Sequence, residues 1–556
     1  MFFFFFFFFF FFFFFSIYFY EFDISYFFEW VIFMLNGCSI TCIFLFDWVS
    51  LIFMSFVFLI SGSVLFYSIG YMEGDNNIIR FFFFVFFFIL SMVFFILMPD
   101  LICLLLGWDG LGLVSYCLII YYQNSGSLSS GLMTVFMNRV GDVFLILSIG
   151  WFINFGSWHF IFYIDFFDYD FFIITYLILF ASFTKSAQFP FCFWLPAAMA
   201  APTPVSSLVH SSTLVTSGVY LIIRFNFYIY NFDTFFLMFI SLITMFLSGL
   251  NACVENDLKK IIAFSTLSQL GFMFFILSFG SLTLCFIHLL IHAVFSSLLF
   301  LCSGFFIHCF FGNQDIRFMG GLLFQCPYVS SCFFISCMCL CGVPFFSGFY
   351  SSDFVFELII LSETGYFFFF FFCVSISLTI FYSLRLLYYL FFFNSFFFPY
   401  ISFFYNFYMN LSLFFLFFFS LFGGSLIFWL FGDFIFIVDF FFSILILMVF
   451  FFCIFFFFGF LNVFFYCSFF FFFFFGSMWF LNYFSSSFFI FRFFGFSNFV
   501  YGLVDSGWLE YFVSGGLVGF FNWISYIFEE FSLNSFYFYM ISFFFFFFFF
   551  FFFFSI

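Results

Sequence analysis

Apolar runs long enough to cross a bilayer alternate with short polar breaks along most of this chain. Residues 46–72, FDWVSLIFMSFVFLISGSVLFYSIGYM, form one such run, residues 73–80 are a polar break, and a further run extends to about Met98. An α-helix needs about 20 apolar residues to span the hydrocarbon core. The chain therefore predicts an all-α integral membrane protein with roughly 14–16 transmembrane helices. The first helix is expected to begin in the phenylalanine run at residues 2–15.

Composition supports this class and excludes others. Only 6% of the 556 residues are charged and 68% are hydrophobic, whereas a soluble chain carries about 25% charged residues. The net charge of −16 comes without the clusters of Lys and Arg that nucleic acid requires, so we expect no nucleic-acid partner. The 17 cysteines are scattered in apolar runs without a CxxC pair, and we expect no metal site.

The most unusual stretch is residues 183–220, where polar residues interrupt an apolar region. Lys185 ends one apolar run, and four prolines follow it before His210 begins the next. Proline breaks a helix, and broken backbone at membrane depth is tolerated where it is buried in protein or lines a wet cavity. This pattern predicts a broken helix on an ion path. The alternative is a kinked helix whose lysine reaches the headgroups.

Other ionisable residues lie within or beside apolar runs. Asp109 sits in the middle of GWDGLGL, where a carboxylate costs about 2.5–3.5 kcal/mol unless it is paired or hydrated. The alternative is a short loop between two half-spans. Arg139 and Asp142 are three residues apart, which makes them neighbours on one helix face and predicts an ion pair. Asn256 or Asp257 is the predicted N-cap of a helix that begins with Lys259 and Lys260 at the membrane surface, where snorkelling is the simpler interpretation.

A second group of polar residues lies between positions 288 and 357. His288, His292 and Ser296 are spaced by four and share one helical stripe, which predicts a proton relay. Residues 342–357, GVPFFSGFYSSDFVFE, predict a second broken helix, interrupted at Pro344 and Gly348, with Asp353 and Glu357 on one face. Two broken spans in corresponding positions indicate two inverted repeats with a pathway between them.

The chain divides into six predicted regions. Residues 498–535 are more polar than their surroundings and predict a lateral amphipathic helix along the membrane surface. The regions are N-terminal transmembrane helices (1–100), a first repeat (101–256), a second repeat (257–390), C-terminal transmembrane helices (391–497), the lateral helix (498–535) and a terminal transmembrane helix (536–556).

These motifs together resemble the subunit-5 family among the antiporter-like membrane subunits of mitochondrial NADH:ubiquinone oxidoreductase, respiratory complex I. The resemblance covers roughly residues 46–385, and its most specific part is the stretch that begins at Lys185 and ends near Tyr220. The sequence DSGWLE at residues 505–510 is similar to the tail that carries a long lateral helix in this family. The matching stretches are FDWVSL, YSIGYM, GWDGLGLVSYCLI, NRVGD, KSAQFPFCFWLPAAMAAPTPVSSLVHSSTLVTSGVYL, DLKKIIAFSTLSQLGFM and HLLIHAVFSSLLFLCSG.

The resemblance implies a role for individual residues. Asp109 stands where the family has an intramembrane glutamate, and Lys185 is the lysine of the broken helix. His210 matches the histidine that leads toward the bundle centre, and His292 matches a central histidine. The resemblance also assigns Arg139 and Asp142 to a pair near the neighbouring subunit, and Lys259 to the lysine after an Asp-Leu motif.

Two departures from the family pattern concern the second half of the path. Ser296 and Ser352 occupy positions where the family has lysine. A hydroxyl can order water but does not hold a proton charge at neutral pH. We therefore expect the exit half of the path to run on water, His288, His292, Asp353 and Glu357. The alternative is a subunit that pumps poorly.

The resemblance implies a proton-translocating subunit of a redox-driven enzyme, in which an ion pair between Asp109 and Lys185 would control the lysine's proton. The chain would bind no cofactor, because the family's FMN, iron–sulfur clusters and ubiquinone lie in partner subunits. Expected partners are other membrane-arm subunits, especially the neighbouring antiporter-like subunit 4, and lipids such as cardiolipin in the mitochondrial inner membrane. The alternatives are the large subunit of a multi-subunit Na⁺/H⁺ antiporter and a structural subunit that has lost its pump.

Overall fold

The computed structural model describes ten segments of the chain, in two compact units, residues 1–481 and 482–556. The described residues are 2–35, 38–159, 169–230, 234–362, 365–394, 406–432, 469–481, 483–484, 489–532 and 536–554. Within them, 13 helices are long and apolar enough to cross a membrane. Two shorter apolar helices, Phe172–Lys185 and Pro327–Cys341, each end at a point where the helical backbone is interrupted. The all-α membrane class is confirmed. Within the predicted region 391–497, residues 395–405, 433–468, 482 and 485–488 lie outside the described residues.

The first unit begins with a helix and a β-hairpin. The described strands β1 (Tyr26–Leu35) and β2 (Cys38–Phe46) pair antiparallel, with Tyr26 opposite Phe46. This hairpin was not predicted, because its apolar residues do not alternate with polar ones and read like a membrane helix. The helices of the unit follow in chain order. They are α1 (Phe2–Glu21), α2 (Trp48–Tyr71), α3 (Ile78–Leu97), α4 (Leu101–Ile119), α5 (Ser125–Phe152), α6 (Tyr169–Lys185), α7 (Trp194–Ala197), α8 (Thr203–Val205), α9 (Leu214–Tyr230), α10 (Phe235–Val254), α11 (Leu258–Ser278), α12 (Leu282–Cys309), α13 (Leu322–Gln325), α14 (Pro327–Cys341), α15 (Ser347–Leu361), α16 (Tyr366–Leu387), α17 (Phe407–Phe431) and α18 (Phe469–Gly476).

Short polar residues set where several helices begin. Asp47 caps α2, where its Oδ1 accepts from Ser50 N (2.9 Å) and its own N–H donates to Ser50 Oγ (3.0 Å), a reciprocal capping box. Asp100 caps α4 and accepts from Ile102 N (3.3 Å). Asp257 is the N-cap of α11, one of the two residues predicted for that position.

Three helical segments form the centre of the first unit. The apolar lengths of α11, of α12 and of the segment Thr203–Phe225 are fully buried. In contrast, only 33% of the apolar window of α5 and 44% of that of α4 are buried. The α4–α5 side therefore faces outward, whereas α12 and the segment after Thr203 form the packed interior.

Both predicted breaks are present. The first runs from the end of α6 at Lys185 to Thr203, and α8 then continues through a π-helical segment, Ser206–Thr213, into α9. The second separates α14 from α15 at residues 342–346, where Gly342 has a φ of 71° that favours glycine. Gly348, expected to interrupt the helix, instead lies inside α15.

The second unit is a long helix followed by a terminal helix. Helical backbone continues from α19 (Phe489–Val500) through a π-helical segment, Tyr501–Gly515, into α20 (Gly516–Ser532), and α21 (Phe536–Phe554) follows. The long helix predicted over 498–535 is therefore present and starts earlier. Its orientation along the membrane surface stays a prediction.

Candidate functional site

Lys185 is fully buried at the C-terminal end of α6. Its Nζ donates to the carbonyl oxygen of Trp108 (2.9 Å) and lies 4.5 Å from the centre of the Trp108 ring. The helix ends at this residue, because Ala187 has a left-handed φ of 53° and Pro190 follows three residues later. The indole of Trp194 donates to the carbonyl of Thr184 (2.9 Å), which satisfies one acceptor that the helix end leaves open.

Trp108 also joins the lysine to an acidic cluster. Its Nε1 donates to Asp142 Oδ1 (2.8 Å). Arg139 Nη1 lies 3.0 Å from Asp142 Oδ2 and 3.5 Å from Asp109 Oδ2. The predicted pair between Arg139 and Asp142 is confirmed, and Asp109 is inside α4 and not in a loop.

The expected ion pair between Asp109 and Lys185 is wrong. In the described part of the chain, no carboxylate lies within ion-pair distance of Lys185, and Asp109 is paired with Arg139. The reason is one of position: the indole of Trp108, adjacent in sequence to Asp109, contacts the ammonium. The contact of Trp108 with Lys185 was not predicted, although an indole N–H next to an intramembrane acid is a recognisable signal.

His210 lies in the π-helical segment and is fully buried. Neither ring nitrogen has a hydrogen-bond partner among the described residues, and the ring lies 6.3 Å from that of Trp194. A π-turn places an extra residue in the helix and often marks a functional site. An imidazole with two open nitrogens can receive a water or a proton from either side.

Lys259 does not snorkel to the surface as the simpler interpretation held. Its side chain is buried, and Nζ donates to the carbonyl of Ala201 (3.2 Å) in the first break. Lys260 does lie partly exposed, 2.9 Å from Asp257. Of the two adjacent lysines, only Lys259 therefore contacts the path.

His288 and His292 lie one turn apart inside α12. His288 Nδ1 is 2.8 Å from Ser351 Oγ, and its Nε2 is 3.1 Å from Gln269 Oε1. The two imidazole rings are 6.5 Å apart with a 28° angle between their planes, and His292 Nδ1 has no described partner. The predicted stripe is thus buried and links to α11 and α15. Gln269 and Ser351 were not predicted, because only the fold brings them to His288.

Asp353 and Glu357 lie on α15, beside the second break. A cavity of about 80 Å³ is lined in part by Ser268, Gln269, His288, Ser352 and Asp353. A water needs roughly 10–15 Å³ of such space, so the cavity has room for several waters. Glu357 Oε2 is buried without a described partner. No basic side chain pairs with Asp353 among the described residues.

Six of the ten predicted residues fall into two clusters, and the other four are His210, Lys259, His292 and Glu357. Asp109, Arg139, Asp142 and Lys185 meet around Trp108, whereas His288 and Asp353 meet at the cavity. The described residues contain no group of three or more His, Cys, Asp or Glu side chains that could hold a metal ion.

Sequence models of known families match almost the entire chain. Residues 98–379 match the transmembrane domain "NADH:quinone oxidoreductase/Mrp antiporter, TM". Residues 30–82 match the N-terminal region "NADH-Ubiquinone oxidoreductase (complex I), chain 5 N-terminus", and residues 382–554 match "NADH dehydrogenase subunit 5 C-terminus".

Individual proteins agree with these matches. The chain is 45% identical over 516 residues to NADH-ubiquinone oxidoreductase chain 5 of Locusta migratoria, with 90% of this chain and 89% of that protein covered. It is 54% identical over 355 residues to the protein of the same name from Anopheles arabiensis, with 63% of this chain and 92% of that protein covered. A chain in the structure of the Mrp complex from Dietzia sp. DQ12-45-1b shares the fold, with a TM-score of 0.68 at 23% identity, over 78% of this chain and 51% of that one. The chain therefore belongs to the NADH-ubiquinone oxidoreductase chain 5 family.

Proposed function

We propose that this chain translocates protons as a membrane-arm subunit of NADH:ubiquinone oxidoreductase, with Lys185 as the central proton carrier. The observation that carries the proposal is the setting of that lysine. It is fully buried, and a carbonyl and an indole ring take the place of a carboxylate partner. Burying an ammonium without a counter-ion is costly, so small changes in nearby charge can decide whether it keeps its proton.

The acidic cluster supplies such a change. Arg139 lies between Asp109 and Asp142, and Trp108 joins Asp142 to Lys185. When Arg139 holds Asp142, the carboxylate is partly neutralised and the lysine charge is poorly supported. When Arg139 moves toward a new partner, the charge of Asp142 favours the protonated lysine. The route from acid to lysine therefore runs through Asp142 and Trp108.

A neighbouring subunit would move Arg139. The side chains of Arg139 and Asp109 are 47% and 30% exposed on the outward α4–α5 side, and charged groups at membrane depth face protein or water and not lipid. The three ionised groups sum to one negative charge, which fits a cationic residue on the partner. We assign this face to the neighbouring antiporter-like subunit 4, with cardiolipin among the lipids around the chain.

The second half of the path would run from the imidazoles of α12 to Asp353. His288 contacts Gln269 and Ser351, and the cavity beside it reaches Asp353. Waters there would take the place of the lysines that Ser296 and Ser352 replace. Redox chemistry would stay in partner subunits that hold FMN, iron–sulfur clusters and ubiquinone, and the assembly would lie in the mitochondrial inner membrane.

The test is the proton-to-electron ratio of the assembled complex in sealed vesicles. We expect Lys185→Ala to lower this ratio while NADH oxidation continues. Lys260→Ala is the matched control, because Lys260 is a partly exposed lysine paired with Asp257 at a helix start. An unchanged ratio in Lys185→Ala would refute the assignment, and sodium transport without NADH oxidation would favour the Na⁺/H⁺ antiporter alternative.

A further inference from the structure

Two buried hydroxyl groups lie together at one point on α12, outside the path described above. The hydroxyls of Tyr67 and Thr203 are fully buried. That of Tyr67 has no hydrogen-bond partner among the described residues, and that of Thr203 lies near the Tyr71 side chain without a bond of normal length. Both lie against Gly304, where an added Cβ would be 2.8 Å from Tyr67 Oη and 2.6 Å from Thr203 Oγ1. Buried polar groups are nearly always satisfied, so these two hydroxyls at one glycine indicate a place where water or a proton is received.

Gly304 lies just over one helical turn before the C-terminal end of α12. His308 follows Gly304 by four residues on the same face and is exposed. Tyr71 follows Tyr67 by four residues on α2, and their rings are 5.8 Å apart. The Tyr71 ring lies 5.7 Å from the His308 imidazole. Gly304 and His308 on α12 therefore run beside Tyr67 and Tyr71 on α2, from the buried hydroxyls to a surface histidine, over about 6 Å of helix rise.

The loops show that this is one membrane face. Leu258 N donates to the carbonyl of Gln314 (2.9 Å) and Ile316 N to that of Asn256 (3.0 Å), which joins the end of α12 to the start of α11. Lys259 in turn donates to the carbonyl of Ala201, two residues before Thr203. The first break, the C-terminal end of α12 and His308 are thus on the same side.

Inward, the same segment leads to His210. Thr203 and His210 are seven residues apart on one helical segment, about 10 Å along its axis. The hydroxyls of Ser206 and Ser207 lie between them, are buried, and donate to the carbonyls of Thr203 (2.8 Å) and Pro204 (2.9 Å). Each serine oxygen can still accept a hydrogen bond.

We propose that Tyr67, Thr203 and His308 form a proton access path between His210 and the membrane face at which α12 ends. The proposal rests on the proton-translocating function proposed above and adds a route between its buried chain and water. His308 exchanges a proton with the solvent, and the hydroxyls of Tyr67 and Thr203 pass it by accepting one proton as they donate another. Glycine at position 304 keeps the space in which these hydroxyls, or a water between them, can meet.

The test combines variants that remove a hydroxyl with one that fills the space. We expect Tyr67→Phe, which keeps the ring and deletes only the hydroxyl, to lower the proton-to-electron ratio of the assembled complex as far as Lys185→Ala does. Gly304→Ala should have the same effect, because its methyl group would occupy the position of contact. Ser303→Ala is the matched control, since that hydroxyl donates to the carbonyl of Phe300 within its own helix (2.8 Å).

The outcomes are distinguishable. If Lys185→Ala lowers the ratio while Tyr67→Phe and His308→Gln pump like the wild type, the access path is wrong and the proposed function stands. If none of the three lowers the ratio, the proposed function itself fails. Should Gly304→Ala prevent assembly, Tyr67→Phe and His308→Gln still decide the matter, because neither adds volume to the packed interior.

Discussion

The ion pair between Arg224 and Asp47 gives a quantitative stability prediction. Arg224 Nη1 and Nη2 donate to the two carboxylate oxygens of Asp47, at 2.5 and 2.9 Å. The same guanidinium donates twice to Tyr220 Oη, which donates in turn to the carbonyl of Ile96. These bonds tie the start of α2 to α9, the helix that continues from the segment carrying His210.

We expect Arg224→Met to cost about 3 kcal/mol of unfolding free energy. Removing one partner of a buried pair costs roughly 3–5 kcal/mol because the other charge stays buried without compensation. The lower end applies because the side chains of Arg224 and Asp47 are 12% and 18% exposed. Asp47 would keep its bond from Ser50 N. Adding Asp47→Asn removes the unpaired charge, so the double variant should lose about 2 kcal/mol less than the sum of the single variants.

The loss should depend on pH in a defined direction. Burial raises the pKa of Asp47, but the charge and hydrogen bonds of Arg224 outweigh it and hold the pKa below its usual value of 3.8. A carboxyl whose pKa is lowered by folding stabilises the protein above its unfolded pKa and loses that contribution as the pH falls through the folded value. The difference between wild type and Arg224→Met should therefore be full at pH 7 and shrink below about pH 4.

The assay is denaturation of the detergent-solubilised chain at pH 7 and at stepwise lower pH, for the wild type, both single variants and the double variant. Leu221→Met, at a buried position one turn before Arg224, controls for repacking of α9. A loss in Arg224→Met below about 1 kcal/mol, the range of exposed pairs, would refute the reasoning. So would single-variant losses that simply add in the double variant, because the pair would then contribute no coupling.

Three further predictions test other contacts. Trp108→Phe keeps a ring beside Lys185 but removes the donor to Asp142, a bond to a charged group of about 1.5–3 kcal/mol, and should slow proton pumping about tenfold at unchanged assembly. Burial raises the pKa of Asp100 to about 6. Folding stability should therefore fall as the pH rises from about 4 to 6, and Asp100→Asn should flatten that profile in thermal denaturation. Ser352 lines the cavity beside Asp353, so the ammonium of Ser352→Lys should lie in that cavity, and a structure of the variant with the ammonium outside it would contradict this.

The sequence predicted the breaks more reliably than the pairing of side chains. Lys185 ends α6 as expected, because proline and the lack of a backbone donor act locally. The stripe of His288 and His292 was also predictable, since it depends only on the helical period. These features need no knowledge of which helices are neighbours.

The partners of these residues depend on packing between distant segments. Gln269 and Ser351 meet His288 from helices that the sequence does not place together, and Trp108 displaced Asp109 as the neighbour of Lys185. The hairpin was missed because its strands are apolar without alternation, and the periodicity of such a run does not separate a strand from a membrane helix. Prediction from the sequence thus succeeded where the cause is within one helix and failed where the cause is between helices.

The two halves of the path store a proton in forms of different charge. At Lys185 the protonated state is a cation, and the nearby carboxylates on α4 and α5 can support it. At Asp353 the protonated state is a neutral acid, and no basic side chain pairs with it among the described residues. A proton that moves from Lys185 to Asp353 therefore leaves a neutral amine behind and neutralises an anion ahead. Since each buried charge disappears as the proton moves, the missing lysines at positions 296 and 352 do not by themselves prevent this transfer.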